Sequence, residues 1–419
     1  MEDYNKFSAV ILGGGIAGIT AALELARLGH DVALVEKTPF FGGRAAQLCC
    51  KATDACQKCG ACLVEGRLTA LFQEPRISLY AQTELLESSR TNGFFQLRLK
   101  QQPRVINPER CVDCGLCQDE CPAAAQGAII TTGVTRNHPR YAVNPAACLF
   151  FLDGSCRVCQ QICPPTARAI DLDQQEEIID LEAGAVIVAT GYRPADPACR
   201  PHYGYGRHPQ VISGAELEER LRYGQGLAGS DEEIPRRVAF IQCVGSRDKE
   251  HAYCSQVCCA YTLRLARLLK HRQPEAEITT FYMDLQNIGR DAPRFQREAL
   301  REIKVVRALP GDLRATADGS LRLRYLQEES AAAVEADFDL VVLSVGIGPG
   351  PDNAALASLL QAELTPAGFF QAASREQPSQ TSRPGLFLAG TASGPRDIAG
   401  CITQALATAR QASQYVKEL

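Results

Sequence analysis

The stretch AVILGGGIAGITAALELARLGHDVALVEK, residues 9–37, leaves few folds open to the chain that contains it. Apolar residues up to Leu12 read as a buried parallel strand. They meet Gly13-x-Gly15-x-x-Gly18, and apolar positions at helical spacing continue to about Leu28. Gly29 ends that helix, and a second strand runs to Val35 with Glu36 at its tip. Strand, glycine turn, helix, strand and terminal acid form a dinucleotide-binding βαβ unit. Gly13 permits the tight turn. Gly15 lets the backbone approach a pyrophosphate, which would rest on the helix N-terminus formed by Gly14, Gly15, Ile16, Ala17 and Gly18. Glu36 can accept from a ribose hydroxyl.

Two later segments decide between FAD and NAD at this unit. AGAVIVATGYRP (183–194) is a strand running into Ala189, Thr190 and Gly191. RPGLFLAGTASGPRDIAGCITQALATARQA (383–412) is a strand, a glycine-rich turn and a helix. Both resemble the return crossings of the thioredoxin reductase class, which favours FAD. In that class the last strand usually ends in Gly-Asp; here Gly390 is followed by Thr391. Gly390, Thr391, Asp397 and Ile398 join the expected cofactor residues. So do Gly43 and Arg44 of FFGGRAAQL (40–48) and Lys37, with Lys37, Arg44 and Arg396 as candidates to stabilise an anionic reduced flavin or simply to meet phosphate or solvent.

Nineteen cysteines are the second constraint. The opening MEDYNKFSAVILGGG runs straight into a strand with no signal-peptide pattern, so a cytoplasmic chain is expected. Reducing surroundings argue against disulfides and for metal. Cys111-x2-Cys114-x2-Cys117-x3-Cys121-Pro122 is the bacterial ferredoxin run. Cys148-x7-Cys156-x2-Cys159-x3-Cys163-Pro164 is the same run with its first gap lengthened. The fourth cysteine of each run turns away to the other cluster. Cys111, Cys114, Cys117 and Cys163 are therefore expected to hold one [4Fe–4S], and Cys156, Cys159, Cys121 and Cys148 the other. Structural zinc is the alternative, but it needs neither the Cys-Pro endings nor the crossed ligand.

IQCVGSRDKEHAYCSQVCC (241–259) stands where a second nucleotide turn is expected, with a strand before it and a helix after it. The phosphate-cradling glycines are missing; Cys243, Cys254, Cys258 and Cys259 are there instead. Cys254 and Cys258, four apart, are expected on one face of the helix, and the four thiolates to hold a third cluster. QLCCKATDACQKCGACL (47–63) carries Cys49, Cys50, Cys56, Cys59 and Cys62. Its Cys56-x2-Cys59-x2-Cys62 is three-quarters of a ferredoxin run, with Cys49 or Cys50 as the fourth thiolate. A redox dithiol and structural zinc compete with a fourth cluster here. Cys199 and Cys401 read as single free thiols.

The fold class expected is α/β: a thioredoxin-reductase-like, Rossmann-type flavoprotein with two dinucleotide domains and an inserted bacterial 2[4Fe–4S] ferredoxin module. Residues 1–102, 172–235 and 346–419 would form the FAD domain. Residues 103–171 would form the ferredoxin module, and 236–345 a degenerate NAD-like domain carrying an iron–sulfur site.

QCVGSRDKEHAYCSQVCC, FFGGRAAQL and GPRDI (394–398) together resemble the heterodisulfide reductase A-like family of flavoproteins, over almost the whole chain. Relatives include flavoprotein components of quinone-interacting oxidoreductase and benzoyl-CoA reductase complexes. The resemblance implies a [4Fe–4S] cluster at Cys243–Cys259 beside the FAD domain, and an electron-relaying role; some members bifurcate electrons at the flavin. It also implies partners: heterodisulfide reductase B/C-like, ferredoxin-, flavin-, hydrogenase- or dehydrogenase-type subunits, in a complex that contains the chain as a homodimer and attaches to a membrane, if at all, through a partner. The longest members have a domain before the fingerprint and a ferredoxin domain after it that this sequence does not show.

A net charge of −4 with no basic stripe argues against nucleic acid. No apolar run reaches bilayer length. No Ser-His-Asp or paired-carboxylate pattern stands out, so no catalytic residue is assigned. A component of a larger oxidoreductase is the reading; a self-contained NAD(P)H-dependent reductase is the alternative, and a zinc-rich interaction protein a third.

Overall fold

The computed structural model of the chain describes residues 4–132, 140–227, 235–286, 292–328 and 330–419. The fingerprint folds as its pattern dictates: β1 (Asn5–Leu12), α1 (Ile16–Arg27) and β2 (Val32–Val35). After α2 (Leu63–Gln73) come β3 (Ile77–Tyr80), β4 (Thr83–Thr91) and β5 (Phe94–Gln101). The chain then leaves for the insert and returns as β6 (Glu177–Val188). The sheet runs β3-β2-β1-β6-β5-β4, parallel from β3 to β6 and antiparallel beyond. Alternating side chains feed two cores. Ala9 and Ile11 pack with α1, while Val10 and Leu12 face Phe95, Leu97 and Phe370.

The insert hangs from one strand pair, whose last partners are Gln101 and Glu177. Inside it, Ile129–Thr131 pairs with Tyr141–Val143. Its small core joins Val105, Ile106, Ala128, Val143 and Ile170 to the thiols of Cys117, Cys148 and Cys159. A module this small lacks apolar mass of its own, so metal centres are natural staples for it.

The second sheet is parallel, in the order β7-β11-β8-β9-β10: β7 (Val211–Ser213), β8 (Arg237–Val244), β9 (Glu277–Phe281), β10 (Lys304–Val306) and β11 (Leu340–Val345). Helix α3 (Gly214–Tyr223) opens on a capping box between Ser213 and Glu216. Helix α4 (Cys258–Arg272) follows β8. The expected boundary at 236 is corrected: Val211–Ser213 pairs with Val341–Leu343, so 211–223 belongs to this domain. The chain returns to the first sheet through β12 (Leu386–Leu388), which pairs with β6, and ends in α5 (Ile398–Lys417) against α1. Among the described residues no helix is long and apolar enough to cross a membrane.

Candidate functional site

Strands β1, β6 and β12 end level, at Leu12, Val188 and Leu388. The turns after them therefore meet at the carboxyl edge of the sheet, where open α/β sheets bind ligands. Gly13 holds φ 110°, and a Cβ there would lie 2.4 Å from the Ala189 carbonyl oxygen. A Cβ on Gly18 would lie 1.9 Å from the Gly13 oxygen. The Gly14 N–H donates to Glu36 Oε2 (2.7 Å), and the Thr38 N–H (2.8 Å) and hydroxyl (2.7 Å) donate to its Oε1. The 40–44 loop lies against the fingerprint, with the Gly42 N–H donating to Gly14 O at 2.7 Å and a bridge from Gly15 to Gly42. That brings Gly43 and Arg44 to the site. Gly390, at φ 67°, lets its turn approach Ala17 of α1.

The residues fit FAD. The buried Thr190 hydroxyl has no hydrogen-bond partner among the described residues, and a buried orphan of this kind needs an explanation. Arg396 is half-buried, has no ion pair or hydrogen bond among the described residues, and is held below its usual range by burial. Besides Glu36, and Arg44, which donates to Gln47 Oε1 (3.2 Å), three further expected residues are already engaged. Lys37 pairs with Asp352 (2.9 Å) and Glu84 (3.8 Å). The Asp397 carboxylate caps α5 by accepting from the Gly400 N–H (2.7 Å). Ile398 packs against the 56–62 loop, its Cγ2 3.2 Å from a Cβ built on Gly60.

Several of the ferredoxin thiols lie near enough to act on one another electrostatically. Burial, helped by the charges of Asp113, Cys114 and Cys163 and opposed by a backbone hydrogen bond from Asp113, leaves Cys111 raised. Burial, then Cys111, Cys159 and Cys114, push Cys117 up to about 12. Burial first, with Cys148, Cys156 and Cys121 among the other causes, pushes Cys159 up to about 11. The cysteine charges acting on Cys111 and Cys159 come from within their expected sets, while those on Cys117 come from both sets. All nineteen thiols are free. Among the described residues no three Cys, His, Asp or Glu groups close around a single metal ion; the fit rests on the spacing of the thiols and on their donor chemistry.

At the third group, a bulge between Ile241 and Val244 turns Cys243 out of β8 at φ 61°. Burial, followed by Cys259, with Arg247 opposing, pushes Cys243 up to about 11. Cys258 is driven higher by burial and by Cys259, Cys243 and Cys254. The charges of the four thiols act on one another, but the thiols do not share one helical face. Gln256 is left-handed (φ 62°), so α4 begins only at Cys258 and Cys254 sits in the turn before it. Backbone N–H groups of Gln256 and Gln286 donate to Cys254 Sγ (3.3 Å) and Cys259 Sγ (3.4 Å). Such bonds stabilise thiolates as cluster ligands. Cys258 and Cys259 occupy the helix N-terminus where a pyrophosphate would rest.

In the fourth segment the thiols divide. Cys49 is buried among Ile212, Leu217 and Leu263. Its N–H donates to Glu218 Oε2 (3.0 Å), and burial, then Glu218, push its thiol up to about 12. The charges that act most on it are Glu218, Lys51 and Arg272. Cys56, Cys59 and Cys62 lie on a loop with left-handed Lys58 (φ 51°) and Gly60 (φ 80°). In the ferredoxin loop 111–117, Asp113 (φ 58°) and Gly115 (φ 81°) take the same two places. The Lys58 N–H donates to Cys56 Sγ (3.4 Å).

Two features escaped sequence reading because no local spacing signals them. Tyr192 follows Gly191 out of the flavin edge; burial raises its hydroxyl, and the charges acting on it come from Arg44, Cys401, Glu218 and Cys258. Arg264 of α4 donates to the backbone of the 56–62 loop.

A sequence profile for FAD dependent oxidoreductases matches residues 9–114, and one for 4Fe-4S binding domains matches 104–126. The chain is 36% identical over 424 residues to an iron-sulfur A-type component of the CoB--CoM heterodisulfide reductase of Methanopyrus kandleri, covering 97% of this chain and 64% of that protein. It is 35% identical over 430 residues to the A-type component of the H(2):CoB-CoM heterodisulfide,ferredoxin reductase of Methanothermobacter marburgensis, covering 98% and 64%. The chain therefore spans just under two thirds of the length of these relatives. Among solved structures, the thioredoxin reductases of T. acidophilum (TM-score 0.54, 14% identity, 99% of both chains) and Lactococcus lactis (0.55, 14%, 99% and 100%) share the fold.

Proposed function

The chain belongs to the heterodisulfide reductase A-like family, and on that premise we propose that it is the FAD- and [4Fe–4S]-containing electron-transfer subunit of a multi-subunit redox complex. The observation that carries this is α4: it presents Cys258 and Cys259 at the place where a nicotinamide dinucleotide would need a phosphate cradle. The flavin edge would hold FAD through Gly13–Gly18, Glu36, Gly43, Thr190 and the turn at Gly390. Bound FAD would supply one- and two-electron chemistry. The residues around it bind and orient it, and Arg396 offers a fixed positive charge. Two clusters on the insert, a third on Cys243, Cys254, Cys258 and Cys259, and a fourth on the 56–62 loop make about sixteen irons per FAD. For the fourth, the burial of Cys49 against Glu218 leaves Cys50 as the ligand within the segment.

A relay of this kind works with other redox subunits in the cytoplasm, of the heterodisulfide reductase B/C-like, ferredoxin-, flavin- or hydrogenase-type classes. The test is anaerobic isolation with native partners, with iron and flavin counted and the visible spectrum followed during dithionite reduction. Thiolate-ligated clusters bleach as a broad absorbance around the flavin bands. Rapid flavin reduction by NADH in the isolated, reconstituted chain would overturn the relay reading in favour of a self-contained reductase.

A further inference from the structure

Resting on the reading of 56–62 as a cluster loop, we propose that Arg264 is the positioning charge of that site, a fixed cation that raises the reduction potential of what Cys56, Cys59 and Cys62 hold while tying the loop to the helix of Cys258 and Cys259. Arg264 Nε donates to Gln57 O (3.0 Å) and Nη2 to Lys58 O (3.5 Å). Its guanidinium lies over the Phe295 ring, 5.1 Å from the centroid. Its neighbour Arg267, one turn on, pairs with Glu302 at 2.9 Å. Arg264 has no carboxylate within ion-pair distance among the described residues. It is half-buried, and burial weighs most on it. The negative groups that act on it are Cys59, Asp397 and Cys56, in that order.

One guanidinium thus holds the backbone of the 56–62 loop and acts on the charges of Cys59, Cys56 and, at the start of α5, Asp397. A guanidinium does not lose its proton in a protein, so the charge is permanent. A cluster gains negative charge on reduction, and a partly desolvated cation beside it favours the reduced form. The carbonyls of Gln57 and Lys58 fix the distance. Charge and hydrogen bonding of this kind are what the protein uses to tune a cluster beyond its ligands.

The experiment uses the full chain with its clusters and FAD, as Arg264→Gln and Arg264→Lys, with iron and flavin counts and a potentiometric titration followed by electron paramagnetic resonance. Cys59→Ser identifies which signal belongs to the loop. The expected result is that Arg264→Gln keeps iron and FAD, moves the loop signal to lower potential and leaves the ferredoxin signals in place, and that Arg264→Lys restores most of the shift. An unmoved loop signal in Arg264→Gln overturns the proposal. Loss of about four irons in Arg264→Gln but not in Arg264→Lys still supports a charge role; loss in both overturns it, leaving only a structural tie. If Cys59→Ser loses no iron, the cluster reading itself has failed, and the proposal falls by that separate measurement.

Discussion

Lys58 and Asp113 occupy equivalent places in two separate loops: each precedes the second cysteine of a Cys-x2-Cys-Gly-x-Cys run, and each holds the left-handed backbone, at φ 51° and 58°. Left-handed conformations in non-glycine residues cost energy and persist where surrounding structure imposes them, commonly at functional sites. The glycines that follow match as well, at φ 80° and 81°. A dithiol needs no such path for three thiols. Cys59→Ser should therefore lower iron by about four atoms per chain with FAD unchanged. Unchanged iron together with fewer titratable thiols would identify a dithiol instead.

The third group gives an independent count. Cys254 is the proposed ligand least embedded in regular structure, since it lies ahead of α4 in the turn shaped by Gln256. Cys254→Ser should remove about four irons and leave FAD and the ferredoxin signals intact. Retention of full iron would return the site to a set of buried thiols.

The fingerprint and the ferredoxin runs were legible in the sequence because their chemistry is local: the spacing of glycines and cysteines declares the loop that needs them. Long-range contacts were not legible. Val211–Ser213 looks like a continuation of the first domain until its pairing with Val341–Leu343 is seen. Cys254 and Cys258 have helical spacing, but Gln256 breaks the helix between them. Lys37 looked free to meet a cofactor, and Asp352 supplies its partner from far along the chain. Arg264 carries no motif at all; only the docking of α4 on the loop assigns it a part.

Glu24 links the two helices that cover the flavin sheet, accepting from Arg27 (2.8 Å) on α1 and Arg410 (3.0 Å) on α5. The hydrogen bond from Arg27, opposed by burial and helped by Arg410, holds its carboxyl at about 2. A depressed folded-state value stabilises above the unfolded value, near 4.3, and is lost as pH falls toward 2. Glu24→Gln should cost about 1–2 kcal/mol at pH 7, reduced from the ideal because both arginines are largely exposed. In thermal unfolding the gap to wild type should hold from pH 7 to about 4.5 and narrow below. A gap that closes already between pH 7 and 5.5 would contradict this origin.

Lys51 and Glu218 form the most buried ion pair between the segment that follows the flavin loop and the second domain, 2.5 Å apart with side chains 2% and 7% exposed. Lys51 also donates to the Cys49 carbonyl (3.2 Å), and Glu218 accepts from the Cys49 N–H (3.0 Å). Arg222 of the same helix, α3, donates to the carbonyls of Ala46 (2.6 Å) and Leu48 (3.0 Å). These bonds fix residues 46–51 on α3. Removing one partner of such a pair strands the other charge in the interior, at a cost of about 3–5 kcal/mol. Lys51→Met should therefore lower the unfolding midpoint strongly and open Cys49 to thiol reagents. Replacing both, as Lys51→Met with Glu218→Met, removes the stranded charge and should recover most of the loss. The thiol reagent separates this from a simple packing defect: Cys49 reacts in the single variant and is protected again in the double. If the single variant melts like wild type with Cys49 still protected, the pair does not anchor the segment.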